Sequence, residues 1–102
     1  FEPVELARLF PRLTELVFSG QLAVTTLDFM RGLSLRSLSI SDCPRLVTID
    51  ALSDMSDLKF LSFRRCRSLR DISVLEACSR LRDLKVVSCP NLTWPTLRLA
   101  GR

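Results

Sequence analysis

Leu35, Leu58 and Leu81 stand 23 residues apart, and each opens the same string of residues. Leu35, Leu38, Ile40, Cys43 and Leu46 align with Leu58, Leu61, Phe63, Cys66 and Leu69, and with Leu81, Leu84, Val86, Cys89 and Leu92. The template is L-x-x-L-x-L-x-x-C-x-x-L. Its central L-x-L alternates, so Leu38 and Ile40 point to one face of a strand while Ser37, Ser39 and Ser41 point to the other. One unit holds too few apolar residues for a core of its own. Stacking the units joins the leucines into one core under a parallel ladder with strands about 4.8 Å apart. A period in this range predicts an α/β solenoid, with parallel strands on the concave face. Short helices or turns, for example over residues 47–56, form the convex return leg. Crossovers between parallel strands are right-handed in nearly all cases, so the coil is expected to be right-handed as well.

The pattern extends beyond the strand. Ile49 and Ile72 follow Leu46 and Leu69 by three residues, and Leu52 and Leu75 follow three later. A degenerate copy comes first, offset by 22, with Leu13, Leu16, Phe18, Gln21 in the cysteine place, then Val24, Leu27 and Met30. These residues resemble the leucine-rich-repeat family in its cysteine-containing form, over roughly residues 13–97. Asp71-Ile72 with Leu75, Cys78 and Leu81 is similar to the long repeats of F-box substrate receptors and of kinetoplastid leucine-rich-repeat proteins. Cys-Pro-x-Leu at Cys43 and Cys89 also resembles repeats of plant immune receptors. The resemblance implies a right-handed leucine-rich-repeat solenoid arc of about four repeats, starting near 13, 35, 58 and 81. Residues 1–12 read as the tail of an earlier repeat, with Pro3 in the first turn of a short helix and Leu6, Leu9 and Phe10 facing inward.

The length suits one domain over residues 1–102, and a hydrophobic content of 47% is enough for a globular core. Neither end carries the polar cap that terminal repeats need, so the expectation is a segment of a longer protein or a chain docked at its ends. No apolar run is long enough to span a bilayer and no secretory signal pattern is visible, so no membrane partner is expected. Cys43, Cys66 and Cys89 share one repeat position, where a small thiol can meet backbone groups under the turn after the strand. A disulfide between neighbouring units is disfavoured. Parallel side chains keep Cβ atoms about 4.8 Å apart, beyond the usual range of roughly 3.5–4.5 Å. Zinc is disfavoured too, because a linear ladder makes no tetrahedron and the chain has neither His nor C-x-x-C. Cys78 falls at an inward spot of the return leg. Without a disulfide framework the chain reads as intracellular, with the cytoplasm first and the nucleus and mitochondrion left open.

No active site is legible. Histidine is absent, and with it the commonest general base; no Gly-rich phosphate loop appears. No enzyme activity, cofactor, metal or small-molecule substrate is therefore expected. Asp71 precedes Ile72 whereas Asp50 follows Ile49, which suits turns or helix starts and not a shared catalytic register. Trp94-Pro95 breaks the last return leg and reads as a core anchor, with a binding hot spot as the alternative.

The outward strand positions form columns. One reads Glu15, Ser37, Phe60, Asp83; the next Val17, Ser39, Ser62, Lys85; the next Ser19, Ser41, Arg64, Val87; the last Gly20, Asp42, Arg65, Ser88. The first two units are small, polar and mildly acidic. Phe60, Arg64, Arg65, Lys85 and Val87 gather on the last two, and an exposed aromatic beside paired arginines suits a protein-binding centre. The primary expectation is a protein-protein interaction module. Net charge is +4, and every basic residue except Lys59 and Lys85 is Arg. That balance opens an RNA-associated role, and ordinary solvated surface is its plain alternative. The F-box resemblance implies a third role, the substrate-receptor arm of a ubiquitin ligase.

Overall fold

A computed structural model describes residues 6–92. The chain is an α/β protein made mostly of strands and turns around a four-stranded parallel sheet in the order β1-β2-β3-β4. The strands are β1 (Glu15–Ser19), β2 (Ser37–Ser41), β3 (Phe60–Arg64) and β4 (Asp83–Val87). Between them lie three short 3-10 helices, η1 (Asp28–Met30), η2 (Asp50–Asp54) and η3 (Ser73–Ala77), and one helical turn, α1 (Leu6–Leu9), precedes β1. The return legs are thus 3-10 turns, a form suited to pieces of three to five residues.

The register follows the sequence period residue by residue. Leu16 pairs with Leu38, Leu38 with Leu61, and Leu61 with Leu84. Leu38, Ile40, Leu61 and Phe63 are buried on one face of the sheet. Leu46, Ile49, Leu52, Leu69, Ile72 and Leu75 close the same core from the return legs. No polar or charged residue is buried among the described residues, so apolar packing dominates the core.

Two local devices recur with the period. The residue just past each strand is left-handed: Gly20 at φ 70°, Asp42 and Arg65 at 55°, Ser88 at 56°. This backbone is cheap for Gly and uncommon for other residues. At these turns the amides of Gly20, Asp42 and Arg65 donate to the carbonyls of Ser41, Arg64 and Val87, at 3.1, 2.9 and 2.9 Å. The second device starts the 3-10 helices. Thr26, Thr48 and Asp71 occupy one repeat position, and each side-chain oxygen accepts the amide two residues on, at 3.3, 3.3 and 2.8 Å. Asp71 is therefore a helix-start residue, and its register partner is Thr48, not Asp50. The Ser73 amide also holds the Asp71 carboxyl below its ordinary range.

The thiols lie where the repeat position places them. Cys43, Cys66 and Cys89 donate to the carbonyls of Ser41, Arg64 and Val87 at 3.4, 3.6 and 3.5 Å. Cys78 is buried and donates to the Leu52 carbonyl at 3.5 Å. All four are free. One expectation needs correction: Leu6 packs against the core, but Leu9 and Phe10 are exposed. The helical turn is only four residues long, too short to bring more than one side chain over the core. Pro3 and the Trp94-Pro95 pair lie outside the described residues.

Candidate functional site

Three of the four expected columns face outward as the alternation requires, the fourth (Gly20, Asp42, Arg65, Ser88) lying just past the strands, and all five candidate residues sit on β3 and β4 or at the turn after β3. Phe60 faces Asp83 across the register, Ser62 faces Lys85, and Arg64 faces Val87. Phe60 is 46% exposed, a large aromatic left in solvent on the outward face. It lies with Lys85 in a shallow depression of about 450 Å3, rimmed by Ser37, Ser39, Ser62 and Asp83. An apolar centre with a polar rim is the usual anatomy of a protein-binding patch.

Arg65 belongs to a different place. Its left-handed backbone turns it out of the sheet face and onto the end of the strands. There it lines a cleft of about 670 Å3 with Asp42, Ser88, Leu22, Pro44, Arg67 and Pro90. Its Nε and an Nη donate to the two carboxylate oxygens of Asp42 at 2.6 and 3.1 Å. This two-pronged contact bridges adjacent units and is stronger than a single surface ion pair. The hydrogen bond from Arg65 lowers the Asp42 pKa, and the charges of Arg65 and Arg64 add to that effect. Arg65 is therefore occupied, whereas no acidic partner lies within 4.0 Å of Arg64 or Lys85 among the described residues.

No family model matches the chain, and no curated protein or solved structure does either.

The buried thiols offer no reactivity. Burial pushes the Cys66 thiol up to about 11, against an opposing hydrogen bond from the Cys43 backbone. Burial raises Cys43 and Cys78 as well. A thiol raised this way holds almost no thiolate near neutral pH. No group of three or more His, Cys, Asp or Glu side chains is placed to hold a metal among the described residues, and no helix of these residues is long and apolar enough to cross a membrane.

The structure thus divides the five expected residues. Phe60 and Lys85 share the sheet-face depression, Arg64 and Val87 adjoin each other beside it, and Arg65 joins the strand-end cleft. Sequence reasoning missed Leu22, Pro44, Arg67 and Pro90, which lie in loops after the strands. Their repeat spacing was visible: Pro44, Arg67 and Pro90 are each 23 residues apart.

Proposed function

We propose that this chain is a right-handed leucine-rich-repeat solenoid of the cysteine-containing type and works as a non-catalytic module that binds a protein partner on its outward strand face. The repeats begin near residues 13, 35, 58 and 81 within one domain, and the strands line the concave side. The cytoplasm is the compartment that suits a chain whose cysteines are free. The observation that carries the binding role is the sheet-face depression, where Phe60 stands exposed within a polar rim together with Lys85, on the same face as Arg64 and Val87. Solenoids present extended surfaces of this kind to other proteins. An exposed aromatic in the middle of such a surface is a typical anchor.

RNA is the weaker reading. The Arg-rich charge balance favours it, but the exposed sheet face has one aromatic, Phe60, among the described residues, and single-stranded nucleic acid is held on successive stacking platforms. The ubiquitin-ligase role rests on the resemblance alone.

Photo-cross-linking from two positions tests the protein reading. A photoreactive residue at Ser62, on the outward face, is expected to give discrete protein adducts in extracts of the source cells. The same residue at Ser53, exposed on η2 on the far side, gives none. Equal labelling from both positions removes the sheet face. The triple variant Phe60→Glu, Arg64→Glu, Lys85→Glu is expected to weaken capture of the cross-linked partner by at least about tenfold, the loss typical of hot-spot residues.

A further inference from the structure

Three successive units carry a cation at one position. Arg36, Lys59 and Arg82 each follow the leucine that opens the unit. The backbone stacks them: the Arg36 amide donates to the Thr14 carbonyl at 2.7 Å, Lys59 to Arg36 at 2.9 Å, and Arg82 to Lys59 at 2.9 Å. These bonds keep neighbouring Cα atoms near the strand spacing of about 4.8 Å. Like charges set directly opposite one another on neighbouring strands destabilise a sheet.

Three cations elsewhere on the surface show the ordinary remedy. Arg31 is paired with Asp28 and Asp54, Arg65 with Asp42, and Arg80 with Asp57. Among the described residues no carboxylate comes within 4.0 Å of Arg36, Lys59 or Arg82. Lys59 and Arg82 further line a depression of about 480 Å3 together with Ser79, Arg80 and Leu81. The column is thus a strip of unpaired cations on a rigid ladder, with a recess at one end.

We propose that this strip docks an acidic polypeptide segment of the protein partner. The inference rests on the protein-binding reading above and adds the chemistry of one contacting segment. Carboxylates arriving at Arg36, Lys59 and Arg82 relieve the repulsion within the column, and the guanidinium forks of Arg36 and Arg82 can donate to both oxygens of a carboxylate. A polypeptide suits the strip better than a nucleic acid does. The adjoining column carries Glu15 and Asp83, which oppose a continuous line of phosphates. A peptide can place neutral residues opposite those two acids.

The test is fluorescence anisotropy of a labelled hexaglutamate peptide against the whole chain. The variant Arg36→Gln, Lys59→Gln, Arg82→Gln is expected to bind it at least about tenfold more weakly, the scale of losing charge-assisted hydrogen bonds. The control Arg45→Gln, Arg67→Gln, Arg70→Gln removes the same charge from exposed positions elsewhere and is expected to bind within about threefold of the parent, as for screened distant charges. Arg82→Gln alone, a milder change, is expected to give part of the loss. Equal weakening in both triple variants reduces the effect to net charge and overturns the strip. So does unchanged binding in the first triple variant. An oligouridylate of equal charge that binds more tightly than the peptide, and loses that binding in the same variant, reassigns the strip to nucleic acid and overturns it too. Peptide binding that survives in the first variant, with Ser62 cross-links intact, removes the strip and leaves the sheet-face reading standing. Loss of the Ser62 cross-links removes only that reading.

Discussion

The inner strands β2 and β3 and the outer strands β1 and β4 are written in nearly the same template, yet they end up in different environments. Leu38, Ile40, Leu61 and Phe63 are almost fully buried. Leu84 and Val86 take the equivalent places in β4 and are only half-buried, as is Leu16 in β1. Phe18 in β1 escapes this because the Phe29 ring from η1 lies 5.1 Å from it, centroid to centroid. On the strands, burial depends on neighbours: Leu38 and Leu61, with a strand on each side, are sealed, whereas Leu16 and Leu84 at the sheet edges are not. The outward face is affected as well, for Val17 on β1 is 77% exposed while the serines aligned with it on β2 and β3 are partly covered.

The largest expected difference between the two regions is in stability. Leu61→Ala is expected to cost about 3 kcal/mol, as buried leucine truncations do, and Leu84→Ala about 1 kcal/mol, in proportion to its partial burial. Urea unfolding of the two variants measures both, and equal losses would break the distinction between inner and outer strands. The thiols give a second contrast. Raising Cys66 from 9.0 to about 11 leaves about a hundredfold less thiolate than in the unfolded chain, since each pKa unit is a factor of ten. In the folded protein at pH 8, Cys89 at the outer strand is expected to react with iodoacetamide first, with Cys43, Cys66 and Cys78 following only as the chain unfolds. Mass spectrometry of the labelled peptides reads the order, and early labelling of Cys66 would contradict a sealed interior. The raised pKa also sets a sign: the stability tied to the neutral thiol is full below the unfolded value and is lost as pH rises through the folded one.

The smallest effect concerns the Asp42–Arg65 contact between the two inner units. Asp42→Asn keeps a side chain that tolerates the left-handed backbone and removes the charge. Because the folded pKa of Asp42 is lowered, its contribution is present above the ordinary carboxylate value of about 3.9. It is lost as pH falls through the lowered one. The variant is therefore expected to be slightly less stable than the parent at pH 7. The two should converge as pH drops below about 3.9, the ordinary carboxylate value. A gap that stays constant with pH would mean that the ion pair contributes nothing.

The ladder was legible because its determinants are local and periodic. Alternation placed Leu61 and Phe63 inward, and the spacing set which residue faces which across the sheet. Leu9 and Phe10 misled, since an apolar pair before the first unit says nothing about whether one short turn can cover both. The surface was harder to read. Arg65 looked like a free arm on the sheet face, but a left-handed backbone and an acid 23 residues away turned it onto the strand ends. Those are properties of the stacked turn and not of the residue. The Arg36–Lys59–Arg82 column was written in the template beside each opening leucine. What marks it out is the stacking of three like charges on successive units, which the parallel register supplies.

The constant step between paired residues has a consequence for how such a chain assembles. Each hydrogen-bonded partner lies 22 or 23 residues away in sequence. The loop closed to add one more strand is the same size at every step, so its entropic cost does not grow as the array lengthens. Contact order stays tied to that step. Folding is then expected to spread outward from the inner pair as a series of equal closures, and a pull on the two ends to peel strands away one at a time from the edges.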